Sequence, residues 1–341
     1  MQPTEIFFNR VGRLRSGWRF AIYIVALFFA IWFMFNLVRV LLLRVGGLSE
    51  ASLVEGNHGW FVQSLILLSV ATLLGWALGK AFEDLPLRAL GWAFHRGWLR
   101  DWLKGSLVGA LSLLLATLLA AISGGFTFSL NRATTFPNIG KTLLLSGLIF
   151  ILAAAAEEAM FRGYPLQTMT RSGLAWAAII LTSVIFSIGH LDNPNVVPGF
   201  TFVNTALAGV WLSIAYLRTR SLWFPLGVHW AWNWMMGAVV GLPVSGIERL
   251  TPDPLMRAAA VGPPWLTGGT YGLEGGAACT LAIIISTVFI WRTNLLSATE
   301  EMKRLTDHEI PKRAQMPSTT YGQPLHTEQP AQTPHDGERL T

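Results

Sequence analysis

Long apolar runs without charged residues recur along the chain. They cover residues 20–38, 59–79, 105–130, 142–156, 172–191, 193–217, 221–247 and 275–291. A helix that crosses a bilayer needs roughly 20 predominantly apolar residues. Eight such runs are more than the core of a water-soluble domain would supply, so the pattern predicts an all-α fold: a polytopic membrane helix bundle of about eight transmembrane helices. Between the second and third runs, residues 85–104 mix Leu, Trp and Phe with Arg, His and Lys, which predicts an amphipathic helix lying on the cytoplasmic surface. From about Thr293 the chain turns polar and proline-bearing, which predicts a disordered cytoplasmic tail. The expected organisation is a cytoplasmic N-terminal segment over 1–19, three spans with the interfacial helix over 20–140, a transmembrane core over 141–292, and the tail over 293–341.

Composition narrows the class. Of 341 residues, 52% are hydrophobic and only 13% charged, too few charges to cover a water-facing surface. A single cysteine, Cys279, excludes an internal disulfide framework and a multi-cysteine metal site. The net charge of +6 would suit a nucleic-acid binder, but its placement points elsewhere. With the N-terminus inside and all eight runs crossing, 19 Lys and Arg fall on the inside and 5 on the outside. That bias follows the positive-inside rule and places both termini in the cytoplasm, with no nucleic-acid partner. The first run is too long for a signal peptide and no small-residue cleavage site closes it. Trp18, Trp60, Trp92, Trp98, Trp102 and Trp223 lie near expected span ends, as an interfacial aromatic belt would. The protein reads as a multi-pass protein of a bacterial inner membrane, with the lipid bilayer as its surroundings.

Ionisable residues inside spans are costly and mark functional sites by default. Here they fall in three stretches. Glu157 and Glu158 are followed by Arg162; Glu158 and Arg162 share a helix face and can pair, leaving Glu157 without a partner nearby in sequence. His190 ends the stretch F-S-I-G-H, and His229 and Asn233 lie four apart on one face in H-W-A-W-N. Taken singly, each has a plain structural explanation: an ion pair, a packed span-end histidine, an inter-helix hydrogen bond. Depth argues that they converge. Glu157 lies 15 residues before Ser172 and His190 lies 18 after it. In a helical hairpin turning near Ser172, their heights differ by about 4–5 Å at 1.5 Å per residue. His229 lies roughly 12 Å in from Ser221 on the same scale, which still allows one cluster of Glu157, His190, His229 and Asn233 in the cytoplasmic half of the bilayer.

Such a set suits amide hydrolysis, which needs an activated water, a stabilised oxyanion and a proton for the leaving amine. Glu157 with His190 can hold and deprotonate a water, and His229 with Asn233 can donate to the oxyanion. Glu157, His190 and His229 are equally a zinc ligand set with an open fourth position, so metal-bound and metal-free water both remain open.

The stretches E-E-A-M-F-R-G, F-S-I-G-H and H-W-A-W-N, in that order on separate spans, resemble the CAAX protease and bacteriocin-processing family of intramembrane proteases, which includes the Ras-converting CAAX endopeptidase and the bacterial Abi proteins. The resemblance covers roughly residues 153–237. It implies an eight-span endopeptidase open to the cytoplasm, with Glu157 as base, His190 helping to bind the water, His229 and Asn233 at the oxyanion, and Glu158 and Arg162 in support. It implies a peptide or membrane-protein substrate. Family members have been described as both metal-dependent and metal-free, so the resemblance leaves zinc open. Two other readings compete: a non-catalytic membrane scaffold or immunity protein that binds a partner, and a proton-coupled transporter, since intramembrane Glu and His can relay protons.

Overall fold

Each of the eight apolar runs becomes a helix in the computed structural model, which describes residues 6–9, 12–47, 57–197 and 199–306. In chain order these are α1 (Ser16–Arg44), α2 (Asn57–Glu83), α3 (Trp98–Ile122), α4 (Phe136–Phe161) with its continuation α5 (Tyr164–Arg171), α6 (Ala175–Ile188), α7 (Phe200–Thr219), α8 (Trp223–Trp234) and α9 (Ala277–Arg292). A short α10 (Glu300–Thr306) follows. Among the described residues, five stretches are long and apolar enough to cross a membrane by length and composition: Ser16–Arg44, Gly59–Glu83, Trp98–Ile122, Phe136–Arg171 and Phe200–Thr219. Ala175–Ile188 and Ala277–Arg292 are apolar but shorter, and α8 runs into a π-helical turn over Met235–Val240. The architecture is an all-α polytopic bundle. Large apolar side chains such as Phe28, Phe29, Trp32 and Phe33 point outward from α1, as they do on a surface solvated by lipid.

Two small strands follow the helices they pack on, β1 against α3 and β2 against the π-helical turn. β1 (Phe126–Leu130) pairs antiparallel with β2 (Met256–Ala260), from Phe126 opposite Ala260 to Leu130 opposite Met256. The third apolar run therefore ends as a strand rather than as helix. The main core gathers Trp211, Phe224, Val228, Trp232, Met236 and Cys279 around α8, which lies inside the bundle.

α8 is seated against α3, its most extensive neighbour. The contact is backbone to backbone. A Cβ on Gly105 would lie 2.1 Å from the Phe224 carbonyl oxygen, and one on Gly109 would lie 2.1 Å from that of Val228. Glycines four apart allow this approach where lipid offers no hydrophobic drive for association. Gly109→Ala should therefore force α8 away from α3, lowering stability by about 1–3 kcal/mol, as overpacking does. Thermal unfolding in detergent, followed by tryptophan fluorescence, reads that loss; an unchanged midpoint would contradict the contact.

Two sequence expectations need correction. Residues 85–104 do not form one amphipathic helix. Only a 3₁₀ turn over Leu87–Leu90 and the start of α3 are helical, separated by a loop between Gly91 and Gly97, whose φ values of 93° and 109° end one element and begin the next. The aromatic residues of this stretch pack on the bundle: Trp92, Phe94 and Trp98 all contact Trp223, with ring centroids 4.8–5.4 Å apart. Trp60 and Trp102 also turn inward, Trp60 to line the internal cavity and Trp102 to stack on Trp230. Second, order extends past Thr293. Arg218 donates to the Thr293 and Leu296 carbonyls, Lys104 donates to the Leu295 carbonyl, and Arg88 pairs with Glu301 of α10. These cations fasten residues 293–306 to the bundle. The rest of the expected tail, 307–341, lies outside the described residues.

Charge is also buried away from the three sequence stretches. Glu83, at the end of α2, accepts from Arg171 Nε at 2.9 Å, from Arg171 Nη2 at 3.2 Å and from Thr168 Oγ1 at 2.9 Å, and Arg19 Nη1 lies 2.7 Å away. The three charged side chains join α1, α2 and α5.

Candidate active site

Glu157 and Glu158 occupy the last turn of α4, just before Gly163 separates it from α5. Consecutive helical residues point about 100° apart, so the two carboxylates serve different surroundings. The side chain of Glu158 is fully buried, whereas that of Glu157 is 26% exposed. Glu158 Oε1 accepts from Arg162 Nη1 at 3.2 Å and from His229 Nδ1 at 2.9 Å. Arg162 also donates to the Gly209 carbonyl at 3.3 Å. This buried set joins α4, α7 and α8. The pairing of Glu158 with Arg162 follows their four-residue spacing; the bond to His229 adds the long-range partner.

The Glu158 bond orients the His229 ring. With Nδ1–H given to the carboxylate, the second nitrogen, Nε2, is left facing Glu157, whose Oε2 lies 3.6 Å away. Asn233 lies one turn further along α8, on the same face, two residues before the π-helical turn begins at Met235.

His190 is placed by a short helix. α6 has 14 residues, about 21 Å at 1.5 Å per residue, and is shorter than the roughly 30 Å hydrocarbon layer. His190 follows directly in the turn after Gly189, and its Nδ1 bonds the Phe186 carbonyl at 2.8 Å. That bond holds the ring and leaves Nε2 available. Gly189 and His190, in the turn that ends the helix, both line a cavity. The Phe186 ring is the hub of this wall. It carries the Arg162 guanidinium 4.7 Å from its centroid, stacks beside His190 at 4.5 Å, and meets His229 edge-on at 6.4 Å.

Glu157, His190, His229 and Asn233 all line one cavity of about 300 Å³. Glu158 and Arg162 lie behind its wall. His190 makes no ion pair with either glutamate, so any joint action of Glu157 and His190 takes place across the cavity, through a bound molecule. Among the described residues, no group of three or more His, Cys, Asp and Glu side chains is placed to hold a metal ion. Glu157 and His229 lie side by side, but His190 does not complete a ligand set with them. No step below is routed through a metal.

The same cavity holds residues that the sequence stretches do not include: Glu274, Asn204 and Ser245. Glu274 Oε1 accepts from Trp232 Nε1 at 3.0 Å, and its Oε2 accepts from the Ser245 amide at 2.7 Å and hydroxyl at 3.1 Å. The one signal for it in the sequence is a lone acid just before the last apolar run. Phe186 stands within its stretch, but its role as hub depends on contacts with two other helices.

Residues 139–235 match the model of the family described as Type II CAAX prenyl endopeptidase Rce1-like. No curated protein and no solved structure matches the chain. The matched segment runs from α4 through α8 and contains all six sequence-predicted site residues; Glu274 lies beyond it. The family comparison thus meets the resemblance drawn from the three stretches: over residues 139–235 the chain is similar to the Rce1-like type II CAAX prenyl endopeptidases.

Proposed function

We propose that this protein is a multi-pass endopeptidase of a bacterial inner membrane that hydrolyses peptide bonds of membrane-associated substrates by a water held between Glu157 and His190. The observation that carries the reading is the meeting of Glu157, His190, His229 and Asn233 around one cavity, within the segment the family comparison matches. His190 Nε2 and the Glu157 carboxylate hold the water. Glu157 takes its proton as the oxygen attacks the carbonyl carbon of the scissile bond. The negative charge that forms on the carbonyl oxygen is met by Nε2–H of doubly protonated His229 and by the side-chain amide of Asn233. Glu158 keeps Nδ1–H engaged throughout, so His229 donates in a fixed direction. The proton on Glu157 then passes to the amine nitrogen as the carbon–nitrogen bond breaks. The products are one carboxylic acid and one amine, and Glu157 returns to its starting state. Both termini lie on the cytoplasmic side, where the basic residues concentrate.

The test is a comparison of membrane-associated peptides in cells carrying wild type and Glu157→Ala. Peptides present with wild type and absent with the variant are the expected result. Identical peptide sets, with any phenotype of the gene unchanged, would favour the non-catalytic scaffold instead.

A further inference from the structure

We propose that Glu274 forms a cation-binding subsite in the cavity and selects substrates carrying a Lys or Arg side chain near the scissile bond. This inference rests on the endopeptidase reading and names what that site prefers.

Among the described residues, two carboxylates line the cavity, Glu157 and Glu274, and neither Lys nor Arg does. Glu157 has the His229 imidazole beside it at 3.6 Å. Glu274 has three neutral donors and no cation: the Trp232 indole, the Ser245 amide and the Ser245 hydroxyl. A carboxylate offers about four acceptor positions, so three donors leave room for one more and leave its charge uncompensated. An anion against a largely apolar wall is costly unless a counter-charge joins it. The walls themselves suit a cation, since the Trp60, Trp211 and Trp232 rings line the same space.

The position is built rather than incidental. Trp232 lies three residues after His229 and one before Asn233 on α8, so the group that holds Glu274 belongs to the helix that carries the proposed oxyanion donors. The backbone at Glu274 is fixed independently. Asn204 of α7 donates to the carbonyls of Glu274 at 2.8 Å and Gly276 at 3.0 Å, and the Asn204 oxygen accepts from Thr280 Oγ1 at 2.6 Å. Trp232 of α8 and Ser245 thereby hold the carboxylate, while Asn204 of α7, itself bonded by Thr280 of α9, holds the backbone beneath it. A peptide whose scissile carbonyl reaches His229 and Asn233 would bring a nearby side chain against Glu274.

The experiment uses N-acetylated, C-terminally hexadecylated heptapeptides, each with a single Lys or its uncharged counterpart norleucine, moved along the sequence. Binding is read by fluorescence anisotropy on the full-length Glu157→Gln protein in nanodiscs, where cleavage does not interfere. One position is expected at which Lys binds about 10–100-fold more tightly than norleucine, the range of a hydrogen bond to a charged group. Glu274→Gln, added to Glu157→Gln, should erase that preference without weakening the norleucine peptides, while Glu274→Asp should retain part of it. A Lys preference at no position, or one that survives Glu274→Gln, overturns the proposal. The Lys–norleucine comparison with Glu274 intact decides the matter even where a Glu274 variant does not fold. Cleavage of the same peptides by wild type is scored separately: a Lys preference in binding without hydrolysis would leave the subsite standing and remove the endopeptidase reading.

Discussion

Glu158→Gln is expected to destabilise and inactivate the protein together, whereas Glu157→Gln, one residue earlier, is expected to inactivate it with little loss of stability. Glu158 is fully buried between the Arg162 guanidinium at 3.2 Å and the His229 imidazole at 2.9 Å. Neutralising it leaves the Arg162 charge inside the bundle without its counter-ion. Breaking a buried pair from one side typically costs about 3–5 kcal/mol. The same change removes the charged acceptor that holds Nδ1–H of His229. The direction in which Nε2 donates is then no longer fixed, and cleavage per folded molecule should fall by about 10²–10⁴-fold, the scale of a lost acid–base contribution. Glu157 faces the cavity, and its distance of 3.6 Å from His229 is longer than a hydrogen bond. Glu157→Gln should therefore shift stability by less than about 1 kcal/mol while lowering cleavage by a similar 10²–10⁴-fold. The measurements are the unfolding midpoint in detergent and the initial cleavage rate. A Glu158→Gln protein as stable as wild type would show that the Arg162–Glu158–His229 set is not a structural support. A Glu157→Gln protein that cleaves at the wild-type rate would remove Glu157 from the chemistry.

The site can be read from the sequence to the extent that its chemistry is local. Glu158 and Arg162 pair because they lie four apart on one helix, and His229 and Asn233 share a face for the same reason. Apolar runs with interrupting charges are rare enough to make each interruption informative. What cannot be read is set by contacts between distant segments. The Glu158–His229 bond spans 71 residues, and nothing on α4 alone distinguishes the carboxylate that supports from the one that faces the cavity. Glu274 is a single acid among glycines, given meaning only by Trp232 and Ser245. The segment 85–104 has an amphipathic composition, but its glycines at 91 and 97 break the helix, and its aromatic residues find Trp223 instead of lipid headgroups. Arg19 and Arg171 show the same limit for topology. Both count among the inside charges by position, yet both are buried against Glu83, a partner that neither has nearby in sequence.

Glu83→Ala is expected to be the most destabilising change outside the site. Arg19 and Arg171 both reach the Glu83 carboxylate from separate helices, and all three side chains are nearly or fully buried. Removing the acid takes from two guanidinium groups the counter-charge they share, so the loss should be about 5 kcal/mol, the upper end for one broken pair. None of the three lines the cavity, so the cleavage rate per folded molecule should stay near wild type. The physical cause can be separated from mere loss of volume. If uncompensated charge dominates, Arg19→Met and Arg171→Met added to Glu83→Leu should recover most of the stability, because replacing a whole buried ionic set by apolar side chains of similar size is often neutral or better. If packing volume dominates, Glu83→Gln, which keeps the size and loses the charge, should be nearly as stable as wild type. Denaturation midpoints of the four proteins decide between the two, and the buried-charge account requires Glu83→Gln to be clearly less stable than the triple variant.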